Sequence, residues 1–158
     1  SSVMPDSFSK AKFLEQWHHA LAPYNIGYKV KLISQLMYRD FLERLEPYKL
    51  TPFHYLVLCC LWEEDGLSTS GIADKLKQLG ATLTGVVDRM EGRSLVYRER
   101  DPKDRRIVRI WLTDEGKQLM KALPPIGAET INQATKGFSK AEQESFSAFL
   151  NRVMDNMM

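Results

Sequence analysis

Hydrophobic positions recur along most of this chain at helical spacing. Ile26, Val30, Ile33, Met37, Phe41 and Leu45 follow one another at intervals of three or four, as in one stripe of an amphipathic helix. Lys29, Lys31, Arg39, Asp40, Glu43 and Arg44 fill the other faces. A shorter amphipathic piece, Phe8 to Leu21, precedes this helix and stops at Pro23, and Pro47 stops the long one. Thr51-Pro52 predicts a new start, with Thr as N-cap and Pro at the first helical position, where a missing N–H costs nothing. The run Phe53 to Trp62 is apolar all round, so periodicity alone does not separate a helix from a buried strand. The Thr-Pro start and the length of the run favour a core helix, ended by Gly66.

Two short helices are predicted next. The first has Thr69 or Ser70 as its cap and turns Ile72, Ala73 and Leu76 inward. The second follows Leu79-Gly80 and turns Leu83, Val86, Val87 and Met90 inward, at i, i+3, i+4 and i+7. Two short helices, a tight turn containing glycine and a supporting helix before them form a helix-turn-helix pattern. The period then changes to two. Leu95 to Arg100 and Ile107 to Leu112 are β-prone, and Asp101-Pro102-Lys103-Asp104-Arg105-Arg106 between them is turn-rich, which predicts a β-hairpin. Thr113 caps a further helix, with Asp114 and Glu115 in the first turn where the helix dipole favours them. Pro124-Pro125 are expected to interrupt it after Leu123, with another helix over 125–137. The last helix starts at Ser139, with Glu142 completing a capping box, and is expected to bury Phe146, Phe149, Leu150 and Val153.

The fold class expected is therefore mainly α with one small β-hairpin. Residues 48–112 make a winged helix-turn-helix within a single domain of 1–158, and helical parts at 8–46 and 114–158 flank it. Length agrees with one domain: a chain of 158 residues hides roughly 70% of its unfolded surface. The longest apolar run, Tyr55 to Trp62, is far short of the ~20 residues that cross a bilayer, so no membrane partner is expected. No charged-then-apolar leader opens the sequence, and a cytoplasmic location is expected. The only cysteines are the neighbours Cys59 and Cys60, which make neither a disulfide framework nor a spaced metal set.

Charge changes the picture only through its distribution. The whole chain sums to +2, from 22 Lys and Arg against 20 Asp and Glu. Between Arg89 and Arg109 there are eight basic residues against four acids, a local balance of +4, which leaves 14 basic and 16 acidic groups elsewhere. A basic segment on a slightly acidic body points to one surface that meets a polyanion; the alternative is a solvated face of mixed charge.

The residues also resemble a known family. Thr51-Pro52, Leu67 to Leu76, Thr82 to Glu91, and Asp101-Pro102-Lys103-Asp104-Arg105-Arg106 leading into Leu112-Thr113-Asp114-Glu115-Gly116 are similar to the multiple-antibiotic-resistance regulator (MarR) family. The similarity covers roughly 26–123. It implies a homodimeric transcription regulator, a ligand-responsive repressor, bound to double-stranded DNA at a pseudo-palindromic operator. The flanking helices of two subunits would interlock as dimerisation helices. The apolar stripes at both ends agree, because a small winged-helix core cannot cover them. Two-fold symmetry would set the half-site spacing.

The resemblance also assigns roles. Arg106 matches the wing-tip arginine that enters the minor groove, with Arg105 as the next candidate, and Asp104 matches an acid that braces it. A delocalised, weakly hydrated guanidinium suits a narrow, electronegative groove. Arg98, Arg100, Lys103 and Arg109 are phosphate contacts or simply exposed, one or two of them bonding acids of the sheet such as Glu99. Thr82, Thr84 and Gly85 occupy the outward N-terminal positions of the second short helix, where threonine reaches phosphate, base or a thymine methyl. The sequence departs from the family there: Gly80 or Gly85 stands where a polar or basic side chain is common, so specificity leans on DNA shape and the wing. Asp88 and Arg89 are expected to pair, with Arg89 counted in the DNA-facing set. Ser70 either bonds phosphate or caps its helix.

A small aromatic effector is a further partner that the family suggests. Tyr24, Tyr28, His54 and Trp62 could border its pocket, and core packing explains those aromatics equally well. Cys59 and Cys60, mid-run in an apolar helix, read as inert packing. His18, His19 and His54 lack ligand spacing, so no metal or other cofactor is expected. A glycine-rich phosphate loop, a nucleophile elbow and a cluster of His with carboxylates are all missing, so the chain does not read as an enzyme. The rival reading is a winged-helix protein-interaction module without specific DNA binding, against which consecutive arginines at the wing argue.

Overall fold

The structure is a computed structural model and describes residues 8–158. The chain forms two compact units, one through Arg39 and one from Asp40 onward. Residues 1–7 lie outside the described part. In the first unit, helix α1 (Lys10–Trp17) starts where the Ser9 hydroxyl accepts from Lys12 N–H, and a 3₁₀ turn follows at His18–Ala20. Asn25 accepts from Tyr28 N–H at 2.7 Å and so opens α2 (Ile26–Leu45), which ends, as predicted, just before Pro47.

The second unit carries the helix-turn-helix. Helix α3 (Pro52–Glu63) begins at Thr51 with Pro52 in its first turn, so the ambiguous apolar run is a helix. It turns Val57, Leu58 and Leu61 into the core. Helices α4 (Thr69–Leu76) and α5 (Gly80–Gly92) follow. All four residues expected on the inner face of α5, Leu83, Val86, Val87 and Met90, are buried. Ser68, not Thr69 or Ser70, caps α4: its hydroxyl accepts from Gly71 N–H at 3.0 Å, and Ser70 lies exposed in the first turn.

Strands β1 (Val96–Arg100) and β2 (Val108–Leu112) pair antiparallel, from Val96 opposite Leu112 to Arg100 opposite Val108. Each starts one residue later than predicted. Leu95 and Ile107 close turns instead, donating their N–H groups to the Met90 and Asp104 carbonyls. The other edge of β2 is also occupied. Gly66 N–H donates to the Ile110 carbonyl, and Ile110 N–H donates to the Leu67 carbonyl at 2.8 Å.

Helix α6 (Asp114–Ala134) corrects the sequence reading, because it runs unbroken through Pro124 and Pro125. Two prolines remove two ladder hydrogen bonds, a cost that alone would stop a helix. Packing offsets it on both sides of the pair. Gly116, Leu123, Gly127 and Thr130 form one buried face that continues across the prolines. Beyond them, the Thr130 hydroxyl donates to Asp40 Oδ2 at 2.8 Å, and Arg44 joins Asp40 at 2.8 Å and Glu129 at 2.7 Å.

Helix α7 (Lys140–Met157) has the predicted capping box of Ser139 and Glu142. The burial expected on it is absent, since Phe146, Phe149, Leu150 and Val153 are all exposed. Its apolar stripe finds no cover within the second unit.

The start of α6 is fitted tightly against the strands. Thr113 caps it, and its hydroxyl also donates to the Ser94 carbonyl at 2.6 Å. The Trp62 indole N–H donates to the Gly116 carbonyl at 2.9 Å. A Cβ on Gly116 would collide with the Leu95 carbonyl and crowd Leu112. An exposed helical glycine gains about 1 kcal/mol on becoming alanine. Gly92, with open space around its Cβ position, is expected to follow that rule. Gly116→Ala is expected to reverse the sign and lower stability by about 1–3 kcal/mol. Urea midpoints of the two variants against wild type check this, and equal gains at both sites would contradict it.

Candidate nucleic-acid interface

The turn between α4 and α5 is closed by Lys77, whose left-handed backbone ends α4 while its N–H donates to the carbonyl of Asp74.

 The same left-handed turn occurs at Lys49, with φ 56°, while Lys77 itself stands at φ 54°. Helix α5 then starts without a side-chain cap: Leu79 holds the N-cap position and is 77% exposed. Thr82 is exposed at its start, and the Thr84 hydroxyl donates back to the Gly80 carbonyl at 3.2 Å. Gly85 is half-buried and Arg89 exposed.

The expected pairing of Asp88 with Arg89 is not what forms. Asp88 instead accepts from Arg98 Nη2 at 2.6 Å, and Glu91 accepts from Arg98 Nη1 at 2.8 Å. Arg98 therefore ties β1 to the outer side of α5, because two carboxylates one helical turn apart converge on one guanidinium. The Arg89 guanidinium has no hydrogen-bond partner among the described residues. Sequence spacing missed this because Asp88 and Arg98 are brought together only by the turn into β1.

The hairpin loop is organised by an acid that the sequence reading passed over. Asp101 accepts from the Lys103 and Asp104 N–H groups at 2.7 and 3.0 Å, and from Arg109 Nε at 2.7 Å. The Arg109 hydrogen bond, followed by the two backbone N–H groups, pulls the Asp101 carboxyl down to about 2. Arg109 also donates to the Gly66 carbonyl at 3.0 Å, so the base of the wing is strapped to the segment before α4. Asp65 accepts from Leu112 N–H at 2.9 Å on the same side. The signal was present as Asp-Pro at a turn, since an aspartate there bonds the backbone two residues on. Glu99, named as an acid for these arginines, takes no part in the pairs.

At the tip, Asp104 receives Arg106 in a two-pronged contact, Nε at 3.0 Å and Nη2 at 2.9 Å. The Arg106 side chain is 90% exposed all the same. That guanidinium holds the Asp104 carboxyl below its usual range. Arg100 donates to the Arg105 carbonyl at 2.8 Å and so closes the loop across its neck. The Arg105 guanidinium and the Lys103 ammonium have no partner among the described residues. Ser68, Thr69 and Ser70 at the start of α4 face Arg106, Ile107, Val108 and Arg109 across a cleft of about 460 Å³. The structure thus brings Ser70 together with the wing, and leaves Thr82, Thr84, Gly85 and Arg89 on α5.

The four aromatic positions considered for an effector divide between the units. Tyr24 stacks on His18 at 3.9 Å in the first unit, and Tyr28 is exposed there. On α3, Trp62 is bonded to Gly116 and packs edge-on against Tyr55, which does the same to Phe41. His54 completes the capping box: Nδ1 accepts from Thr51 N–H at 3.1 Å, and its own N–H donates to the Thr51 hydroxyl. Its Nε2 is buried without a hydrogen-bond partner among the described residues. Burial first, then the Arg89 and Arg93 charges, lowers the His54 pKa and keeps the ring neutral. Burial pushes both the Cys59 and the Cys60 thiols up, away from the reactive thiolate. No group of metal-binding side chains occurs among the described residues. No helix among them is long and apolar enough to cross a membrane.

A helix-turn-helix strapped to an arginine-tipped hairpin has known counterparts. A model of the MarR family matches residues 50–108, the span from the start of α3 into β2. The transcriptional regulator HosA of Escherichia coli O111:H- is 33% identical over 106 residues, covering 67% of this chain and 78% of HosA. The chain belongs to the MarR family. Solved MarR-like structures agree in fold. BpsR of Bordetella bronchiseptica superposes with a TM-score of 0.80 at 25% identity, covering 85% of this chain and 96% of that one. MepR of S. aureus, solved in complex with DNA, gives 0.78 at 28% identity over 84% and 98%. This MarR-family chain is accordingly a winged-helix regulator, as its motifs implied.

Neutral His54 makes stability depend on pH with a definite sign. The unfolded ring protonates near 6.5, whereas the folded ring protonates at a lower pH. The unfolded state therefore binds more protons in that window, and its contribution to stability, intact above about 6.5, is lost as pH falls toward the folded value. Urea unfolding at pH 7.5 and 5.5 measures the slope. His54→Gln keeps an acceptor for Thr51 N–H and is expected to show a smaller loss on acidification. An unchanged loss would assign the effect to other groups.

Proposed function

We propose that this MarR-family chain is a homodimeric transcription regulator that binds a pseudo-palindromic operator in double-stranded DNA. In this reading α5 enters the major groove and the wing lays Arg106, with Arg105 beside it, into the adjacent minor groove. One observation carries it. Arg106 is 90% exposed yet aimed by two hydrogen bonds from its guanidinium to Asp104, and the Arg105 guanidinium next to it has no partner among the described residues. Holding an exposed arginine in one orientation costs side-chain entropy, and a groove that reads shape makes use of it. Ser70, Arg100 and Lys103 supply phosphate contacts around this tip. Arg98 serves the fold, holding α5 to the hairpin through Asp88 and Glu91.

The DNA complex of MepR supports the partner. Helix α7 supports the dimer, because none of its 18 residues is buried and its aromatic stripe lines an open groove with Phe138. An apolar face of that kind marks an interaction site. Regulation by a small aromatic acid is supported by BpsR, whose DNA binding is regulated by 6-hydroxynicotinic acid. In this reading the chain represses and the effector releases it.

Binding to sequences selected from a random duplex pool tests the proposal. Affinity is expected to fall steeply between 50 and 200 mM salt, with a slope of about −0.9 per phosphate neutralised. Arg106→Ala is expected to weaken binding by roughly tenfold or more while the protein stays folded. Asp104→Ala should lose part of that, since it frees the arginine without removing it. No enriched sequence, or binding that ignores salt, would instead favour a protein-interaction module.

A further inference from the structure

Resting on the reading that α5 lies in the major groove, we propose that Arg89 is its base-reading side chain and that the base it reads is guanine. The rest of the outward face is short. Gly80, Ala81, Thr82, Thr84 and Gly85 carry nothing longer than threonine, and the Thr84 hydroxyl is turned back onto the Gly80 carbonyl. A side chain on a helix leans toward the N-terminus and covers the turn before it. Arg89 does so here: its Nη1 stands 3.6 Å from where a Cβ on Gly85 would be. The guanidinium occupies the ground left open by glycine and moves one turn nearer the helix start, where recognition helices make their base contacts.

Among the described residues nothing else claims this guanidinium. The two nearest carboxylates of α5, Asp88 and Glu91, are both engaged by Arg98 at 2.6 and 2.8 Å. Arg93, one turn further on, is itself spent on the carbonyls of Tyr48 and Lys49. Arg89 therefore meets solvent with its donors unused, on a helix face with no competing long side chain. A planar fork of N–H donors matches the N7 and O6 acceptors of guanine in the major groove, which no other base presents together. Asp88, held away by Arg98, does not neutralise it. The ion pairs between α5 and β1 thus keep the reading residue free as well as fixing the hairpin.

The test is sequence selection from a random duplex pool with wild type, Arg89→Ala and Arg89→Lys, each checked for folding by circular dichroism. Wild type is expected to enrich an inverted repeat with guanine at one fixed position in each half-site. Arg89→Ala should keep the repeat and its spacing but lose the guanine preference, with discrimination at that position falling roughly 5- to 150-fold. Arg89→Lys keeps the charge and a donor without the planar fork; it should retain the affinity for unselected DNA and hold the guanine preference less strongly than wild type. An unchanged guanine preference in folded Arg89→Ala overturns the assignment. Equal loss of binding to selected and unselected DNA in Arg89→Ala also overturns it, because that marks a phosphate contact. Failure of folded wild type to enrich any sequence overturns the DNA-binding reading itself, a result distinct from both.

Discussion

Strand β2 is paired along both edges, and the geometry of the winged helix depends on that. On one side it faces β1, and on the other Ile110 exchanges both of its backbone groups with Gly66 and Leu67. A free two-stranded hairpin is marginal in water. Here the third segment converts it into a small sheet whose position is fixed to the entry of α4. Arg109 and Asp65 repeat the link with side chains, one to the Gly66 carbonyl and one from Leu112 N–H. The wing and the helix-turn-helix consequently move as one body, which the proposed approach to two DNA grooves at a fixed separation requires.

With that frame in place, the basic segment divides by function. Arg93, Arg98 and Arg109 are bound to carbonyls or carboxylates of the chain itself. Arg106 is held by one carboxylate at its exposed tip, and the Arg89 and Arg105 guanidinium groups are unpartnered among the described residues. Charge excess alone hides this division. Three of the four acids in the segment, Glu91, Asp101 and Asp104, hold arginines, and Asp101, pulled down to about 2, keeps its charge through the ordinary acidic range.

Local chemistry made much of this legible. Thr51-Pro52, Thr113 and Ser139 with Glu142 were found as helix starts because each cap is written within four residues. The inner face of α5 followed from spacing alone. What failed depended on contacts distant in sequence. Pro124-Pro125 read as a break because the stabilising partners, Asp40 and Arg44, lie some ninety residues earlier. Arg98 read as a phosphate contact, an exposed cation or a partner of acids in the sheet, because its actual two acids sit on the preceding helix. The residues of α7 read as buried because an apolar stripe states that it is covered without stating by what.

That uncovered stripe has a consequence for dosage. In the proposed dimer a second copy would complete the terminal helix, and the paired form would then scale with the square of chain concentration so long as copies are scarce. Operator occupancy would rise more steeply than expression does. A modest change in the number of chains per cell would then act as a threshold, before any effector is present.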